Sequence, residues 1–142
     1  MRSIVVGTDG SPSADAAVRR AAEIAKGSGT RVHLVTAYPD VPTYRETIAS
    51  SAKAEPIKLR EVAESVLARE SRALEDEGIE VMTHAREGDP AEVIIDVAQD
   101  EGAELIVVGA RGLSGLQRFL LGSVSSKLSH HAPTSVMVVR DQ

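Results

Sequence analysis

Four glycines fall within the fourteen residues from Gly109 to Gly122, at 109, 112, 115 and 122, and serines follow at 123 and 125. Glycine lets the main chain approach a ligand closely and permits positive φ. Successive amides in such a loop form a concave anion nest. Gly122-Ser123 stands where a helix is expected to begin, so free amides and the helix dipole favour an anion there. Ser123 and Ser125 add hydroxyl donors. The chemistry indicated is capture of phosphate by backbone. The stretch is not a Walker A loop, which needs Lys and Ser/Thr straight after its second glycine, and it is not G-x-G-x-x-G. The blander alternative is a surface loop with turn glycines, but long loops without a function are uncommon in compact domains.

A second short loop, Gly7-Thr8-Asp9-Gly10-Ser11, follows the first apolar run. Asp9 reads as a ligand to ribose hydroxyl or phosphate-bound Mg2+ in preference to a turn former. Asp89 precedes Pro90 and reads as a helix cap. Arg111 reads equally as a phosphate partner or a solvated loop arginine. Arg118 and Lys127 flank the same region and are expected to be surface charges in preference to a diffuse positive field for the ligand. Of the four histidines, His33 and His84 fall on expected strands, and His130 and His131 end the last helix. Adjacent residues do not share a helix face, so no metal ligand set is assigned. No G-x-S-x-G elbow supports a Ser-His-Asp triad, and no catalytic residue is assigned.

These loops need elements to position them. Apolar or β-branched runs at 3–7, 32–36, 80–83, 105–108 and 135–139 read as strands. The runs 4–6, 105–108 and 136–139 lack alternation, as strands covered on both faces do. Ser11-Pro12-Ser13 opens a helix with Ala14, Ala17, Val18, Ala21, Ala22 and Ala25 at helical spacing, closed by Gly27 or Gly29. Leu59, Val62, Ala63, Val66, Leu67 and Leu74 form the stripe of a second helix, stopped by Gly78. A third runs from Asp89-Pro90 to Gly102 with Val93, Ile94, Val97 and Ala98 inward. A fourth spans Ser123 to about His131, with Val124 and Leu128 inward and Pro133 beyond. Strands alternating with helices pair in parallel through right-handed crossovers. The expected architecture is a doubly wound three-layer sandwich with ligands beyond the carboxyl ends of its strands. The stretch Tyr38 to Glu55 is irregular and reads as a mobile loop that admits a helical turn near Glu46-Ile48.

The totals fit one domain, 1–142. With no cysteine, disulfides, thiolate metal sites and a cysteine nucleophile are excluded. The N-terminus has no signal-peptide h-region and no apolar run reaches membrane-spanning length, so a cytoplasmic protein is expected. A net charge of −5, no basic stripe and three aromatics disfavour nucleic acid.

Gly109-x2-Gly112-x9-Gly122-Ser123, the run GARGLSGLQRFLLGSVSSKLSHHAPTSVMVV, the opening IVVGTDGS and GDPAEVI at 88–94 together resemble the universal stress protein family. The resemblance covers nearly the whole chain except about Tyr38 to Ala54. It implies a flavodoxin-like, adenine nucleotide α-hydrolase-like sandwich with strand order 3-2-1-4-5, and ATP binding by members bearing this glycine pattern. It places Gly109, Gly112 and Gly115 in the phosphate loop with Arg111, Leu113 and Ser114. It gives phosphate and ribose to Gly122 and Ser123, and the adjoining wall to Val124 and Ser125. Gly7, Thr8 and Asp9 face the nucleotide, with any Mg2+ held through the phosphates, and Ala37 meets adenine. Strand five, Val136 to Val139, is expected at the sheet edge, where an apolar strand invites a second copy. The resemblance likewise implies a homodimer through it.

The leading reading is a nucleotide-dependent stress-response or signalling module with an unspecified downstream partner. A weak ATPase is the enzymatic alternative, since no motif fixes a nucleophile, metal ligands and leaving-group stabilisation together. A cyclic AMP receptor is the alternative within the family. A purely structural module would have no need of the glycine spacing.

Overall fold

The computed structural model describes residues 1–39, 56–111 and 122–140, with only the backbone of Pro56 and Ile57. The elements are β1 Ser3–Gly7, α1 Pro12–Ala25, β2 Arg31–Tyr38, α2 Pro56–Asp76, β3 Val81–Glu87, α3 Pro90–Asp100, β4 Leu105–Gly109, α4 Ser123–His131 and β5 Ser135–Val139. The helical turn expected near Glu46–Ile48 lies outside the described residues, as do Gly112, Leu113, Ser114, Gly115 and Arg118.

All five strands pair in parallel in the order β3-β2-β1-β4-β5, as the resemblance implied. Alternation along the strands sends side chains to two cores. Ile4, Val6, Val32, Leu34 and Val107 pack with Ala17, Ala21, Leu67 and Leu74 on the face covered by α1 and α2. Val5, Val35, Ile106 and Val108 pack with Ile94, Val97, Ala98 and Leu128 on the face covered by α3 and α4. The sheet is thereby the middle of three layers. No helix among the described residues is long and apolar enough to cross a membrane.

α1 and α3 start, and α1, α2 and α3 stop, as their sequences dictate. Ser11 Oγ accepts from the Ala14 amide at 3.2 Å and Pro12 occupies the first turn of α1. Asp89 Oδ2 accepts from the Glu92 amide at 3.1 Å ahead of Pro90 in α3. Gly27, Gly29, Gly78 and Gly102, just beyond helix ends, have positive φ, which glycine adopts without a Cβ penalty.

Four details depart from the sequence reading, the first being β2, which runs on through Ala37 to Tyr38, a residue read as loop, because both pair in register with β3. Val62 is 65% exposed, whereas Glu70 is only 6% exposed and takes the inner face between Leu67 and Leu74. β3 continues past Thr83 to Glu87, because Ala85, Arg86 and Glu87 pair in register with Thr36, Ala37 and Tyr38. β5 is half-buried instead of covered on both faces, as befits an edge strand.

Candidate functional site

The chain leaves β1 toward β2 on one side of the sheet and later enters β4 on the other, so strand order reverses between β1 and β4. At their carboxyl ends the diverging crossovers open a cleft, the usual ligand position in such sheets. It is lined by Gly7, Thr8 and Asp9 after β1, Ala37 at the end of β2, Gly109 and Arg111 after β4, and Gly122 to Ser125 at the start of α4. Every described residue singled out from the sequence as cofactor-binding is in this lining. Ala14, Val35, Pro90, Ile94, Val108 and Ala110 complete it. The sequence reading missed those six, although Val35 and Val108 end apolar runs and Pro90 and Ile94 belong to GDPAEVI.

The end of β1 is held from below. The Thr8 amide donates to Val35 O at 2.9 Å. The Thr8 hydroxyl donates to Glu70 Oε1 at 2.8 Å and accepts from the Gly10 amide at 3.2 Å. Thr8 thus reaches the cleft without offering its proton there. Burial is the main influence that pushes the Glu70 carboxyl above its ordinary range, opposed by the Thr8 hydrogen bond and nearby Arg69. Glu70 Oε2 and Thr36 Oγ1, both buried, have no hydrogen-bond partner among the described residues. Asp9 Oδ1 accepts from the Ser11 amide at 2.9 Å, so this exposed carboxylate shapes its turn as well as lining the cleft.

The glycines that begin and end the long loop sit in different surroundings. A Cβ on Gly109 would meet Ser13 O at 2.5 Å and Ser13 C at 2.7 Å, so β4 and α1 touch here only because glycine is present. Ser13 Oγ also accepts from the Arg111 amide at 3.1 Å, which withdraws that amide from any anion nest. Gly122 is the N-cap of α4 in extended backbone, and no side chain among the described residues caps that helix. The Gly122 amide donates to Ala110 O at 2.6 Å, closing the loop. The first intrahelical bond runs from the Ser126 amide to Gly122 O at 3.0 Å. The amides of Ser123, Val124 and Ser125 precede it, and these residues line the cleft. Ser125 departs from expectation: it is buried and its hydroxyl points to Gly122 O at 3.1 Å and Ala110 O at 3.3 Å, so its proton holds the loop ends together. Ser123 is exposed.

Lys127 is a surface charge, as expected. Its ammonium bonds Asp89 Oδ2 at 3.1 Å and lies 3.7 Å from Glu92, and the Asp89 hydrogen bond raises its pKa.

The model of the universal stress protein family matches residues 1–140. The chain belongs to the universal stress protein family. A universal stress protein of Methanocaldococcus jannaschii is 32% identical over 139 residues, covering 98% of this chain and 82% of that protein. One from Mycobacterium tuberculosis is 34% identical over 142 residues, covering 97% and 95%. Among solved structures, a universal stress protein in complex with cAMP superposes with TM-score 0.75 at 27% identity, covering 97% of this chain and 96% of that one. The universal stress protein from Archaeoglobus fulgidus in complex with dAMP superposes with TM-score 0.70 at 26% identity, covering 97% of each.

Proposed function

We propose that this universal stress protein binds an adenine nucleotide, with ATP as its principal ligand, and acts as a nucleotide-dependent stress-response or signalling module. The observation that carries this reading is the start of α4, whose first amides line the cleft with no side-chain cap. Such amides, together with the helix dipole, suit phosphate oxygens. Ser123 adds an exposed hydroxyl and Arg111 stands on the rim. Ala37, Val35, Ile94 and Val108 provide an apolar wall for a base. Gly112, Leu113, Ser114 and Gly115 are assigned to the same phosphate loop on family resemblance. Mg2+ would enter through the phosphates, opposite Asp9. Family members in complex with cAMP and dAMP support adenine as the base.

The output is a change of surface and not a turnover product. Among the described residues of the cleft, Ser125 and Thr8 spend their protons within the protein, which supports this reading. Turnover faster than about 1 per second, the lower end for kinases, would overturn this. Cyclic AMP is the second reading, favoured by the cAMP complex of a relative. We also propose a cytoplasmic homodimer joined through β5, supported by its half-buried apolar edge. A monomeric mass by light scattering at micromolar concentration would reject the dimer.

The deciding experiment is calorimetric titration with ATP and with cyclic AMP, alongside mass spectrometry of ligand released from gently purified protein. Micromolar ATP binding or co-purified ATP is expected. Cyclic AMP bound in preference would select the second reading, and no adenine nucleotide bound would reject both.

A further inference from the structure

On the α3 face of the sheet, beside the β3 edge, three side chains converge from three elements. His33 on β2 is 1% exposed. Its Nδ1 lies 3.0 Å from Nε2 of His84 on β3. Its Nε2 lies 3.9 Å from Oε2 of Glu101, the residue that caps the end of α3. One ring nitrogen from each histidine and one Glu101 oxygen all fall within 4.8 Å of one another. We propose that His33, His84 and Glu101 form a binding site for a divalent transition-metal cation of the zinc class.

The donor types select the cation. Two imidazoles and a carboxylate suit Zn2+, Co2+ and their neighbours, whereas Mg2+ and Ca2+ prefer sites made of oxygen. The geometry is close to what binding requires. With Zn–N bonds of about 2.0–2.1 Å, two nitrogens on one tetrahedral ion stand about 3.3 Å apart. The observed 3.0 Å is a hydrogen bond between tilted rings, so binding needs its proton lost, the nitrogens parted by a few tenths of an ångström and both rings turned toward a shared ion. Glu101, with a side chain 34% exposed at a helix end, has room to swing inward. The competing cations are Arg31 and Arg86, held by Glu80 at 2.8 Å and by Asp100 at 3.5 Å. Three protein donors leave a position for water, the pattern of an open site. The set was invisible to spacing arguments because its members are far apart in the chain. Only the β2–β3 pairing and the α3 crossover assemble it.

A bound cation would staple the edge strand β3 to β2 and to the end of α3. It lies away from the nucleotide cleft and shares none of its lining residues. The site therefore stands or falls separately from the proposed ligand.

The test uses the full chain carrying His130→Ala and His131→Ala, because that exposed pair offers adventitious nitrogens. Chelator-treated protein is titrated with Co2+ and Zn2+ without nucleotide, since triphosphates bind divalent ions themselves. One cation per chain with micromolar or tighter affinity is expected, with the strong visible bands of four-coordinate Co2+. At 100-fold excess over Kd, Zn2+ should raise the melting temperature by roughly 5–10 °C. His84→Ala and Glu101→Ala should each weaken binding at least tenfold. Millimolar binding, or equal affinity in the His84→Ala protein, would reduce the cluster to a hydrogen-bonded histidine pair and overturn the site. A second reading needs no substitution at the ligands. Zn2+ should move the ring nitrogen resonances of both His33 and His84, and if neither moves the proposal fails.

Discussion

Gly109 and Gly122 stand at opposite ends of one glycine-rich stretch, yet they serve opposite purposes. Gly109 is spent on packing, seated against the main chain of Ser13. The helix it touches, α1, has its first turn closed by Ser11. Gly122 opens α4 without a cap, leaving the first amides beside the cleft. A helix start completed by its own side chain is scaffold, and one left open is available to a ligand. The contrast warns against reading every motif glycine as a ligand contact.

The comparison is most sharply broken by giving α4 what α1 already has. Gly122→Asp places an acceptor at an N-cap whose backbone is already extended, and a carboxylate repels phosphate. ATP affinity should fall at least about 100-fold, or about 2.7 kcal/mol, in calorimetry, while the melting temperature holds or rises. Retained binding would show that the α4 amides do not hold the ligand. The converse substitution, Gly109→Ala, should strike folding. Forcing a methyl against Ser13 should cost about 1–3 kcal/mol in denaturant unfolding, the usual range for overpacking. A variant as stable as the parent would dissolve the distinction between the two glycines.

Smaller effects are expected at the closed starts. Ser11→Ala should cost about 1 kcal/mol of stability, as cap removal typically does, with ATP affinity unchanged. A tenfold loss of affinity there would mean that α1 also serves the ligand. The smallest effect concerns Glu70, which holds Thr8 beneath the closed side. Burial raises its pKa in the folded state, so its contribution to stability is full below its unfolded pKa of about 4.3 and is lost as pH rises through the folded value. Glu70→Gln should therefore gain on the parent toward pH 8 and lose that advantage toward pH 4. A constant difference across that range would assign the shift elsewhere.

The sequence disclosed most of this molecule where one physical signal dominated. Unbroken apolar runs marked β1 and β4 because two cores press on them, and Ser-Pro and Asp-Pro marked the starts of α1 and α3. It misled where two signals conflicted. Position 70 has the spacing of an inward residue in α2, but its carboxylate hid that, while Val62 looked inward by type and faces water. The polar tail of β3 gave no strand signal because register with β2 defines it. Likewise, spacing located the cleft's glycines but could not tell Gly109 from Gly122. That difference depends on where Ser13 falls after folding. His33 and His84 were placed on strands that the expected order makes neighbours, but nothing local revealed the register that brings the two rings together beside the end of α3.

The 2.6 Å bond from the Gly122 amide to Ala110 O, seconded by the Ser125 hydroxyl, joins the two stems of the 111–121 segment independently of what lies between them. The clasp is a main-chain bond from one stem to the other, so the residue after β4 and the cap of α4 are latched together at the mouth of the cleft.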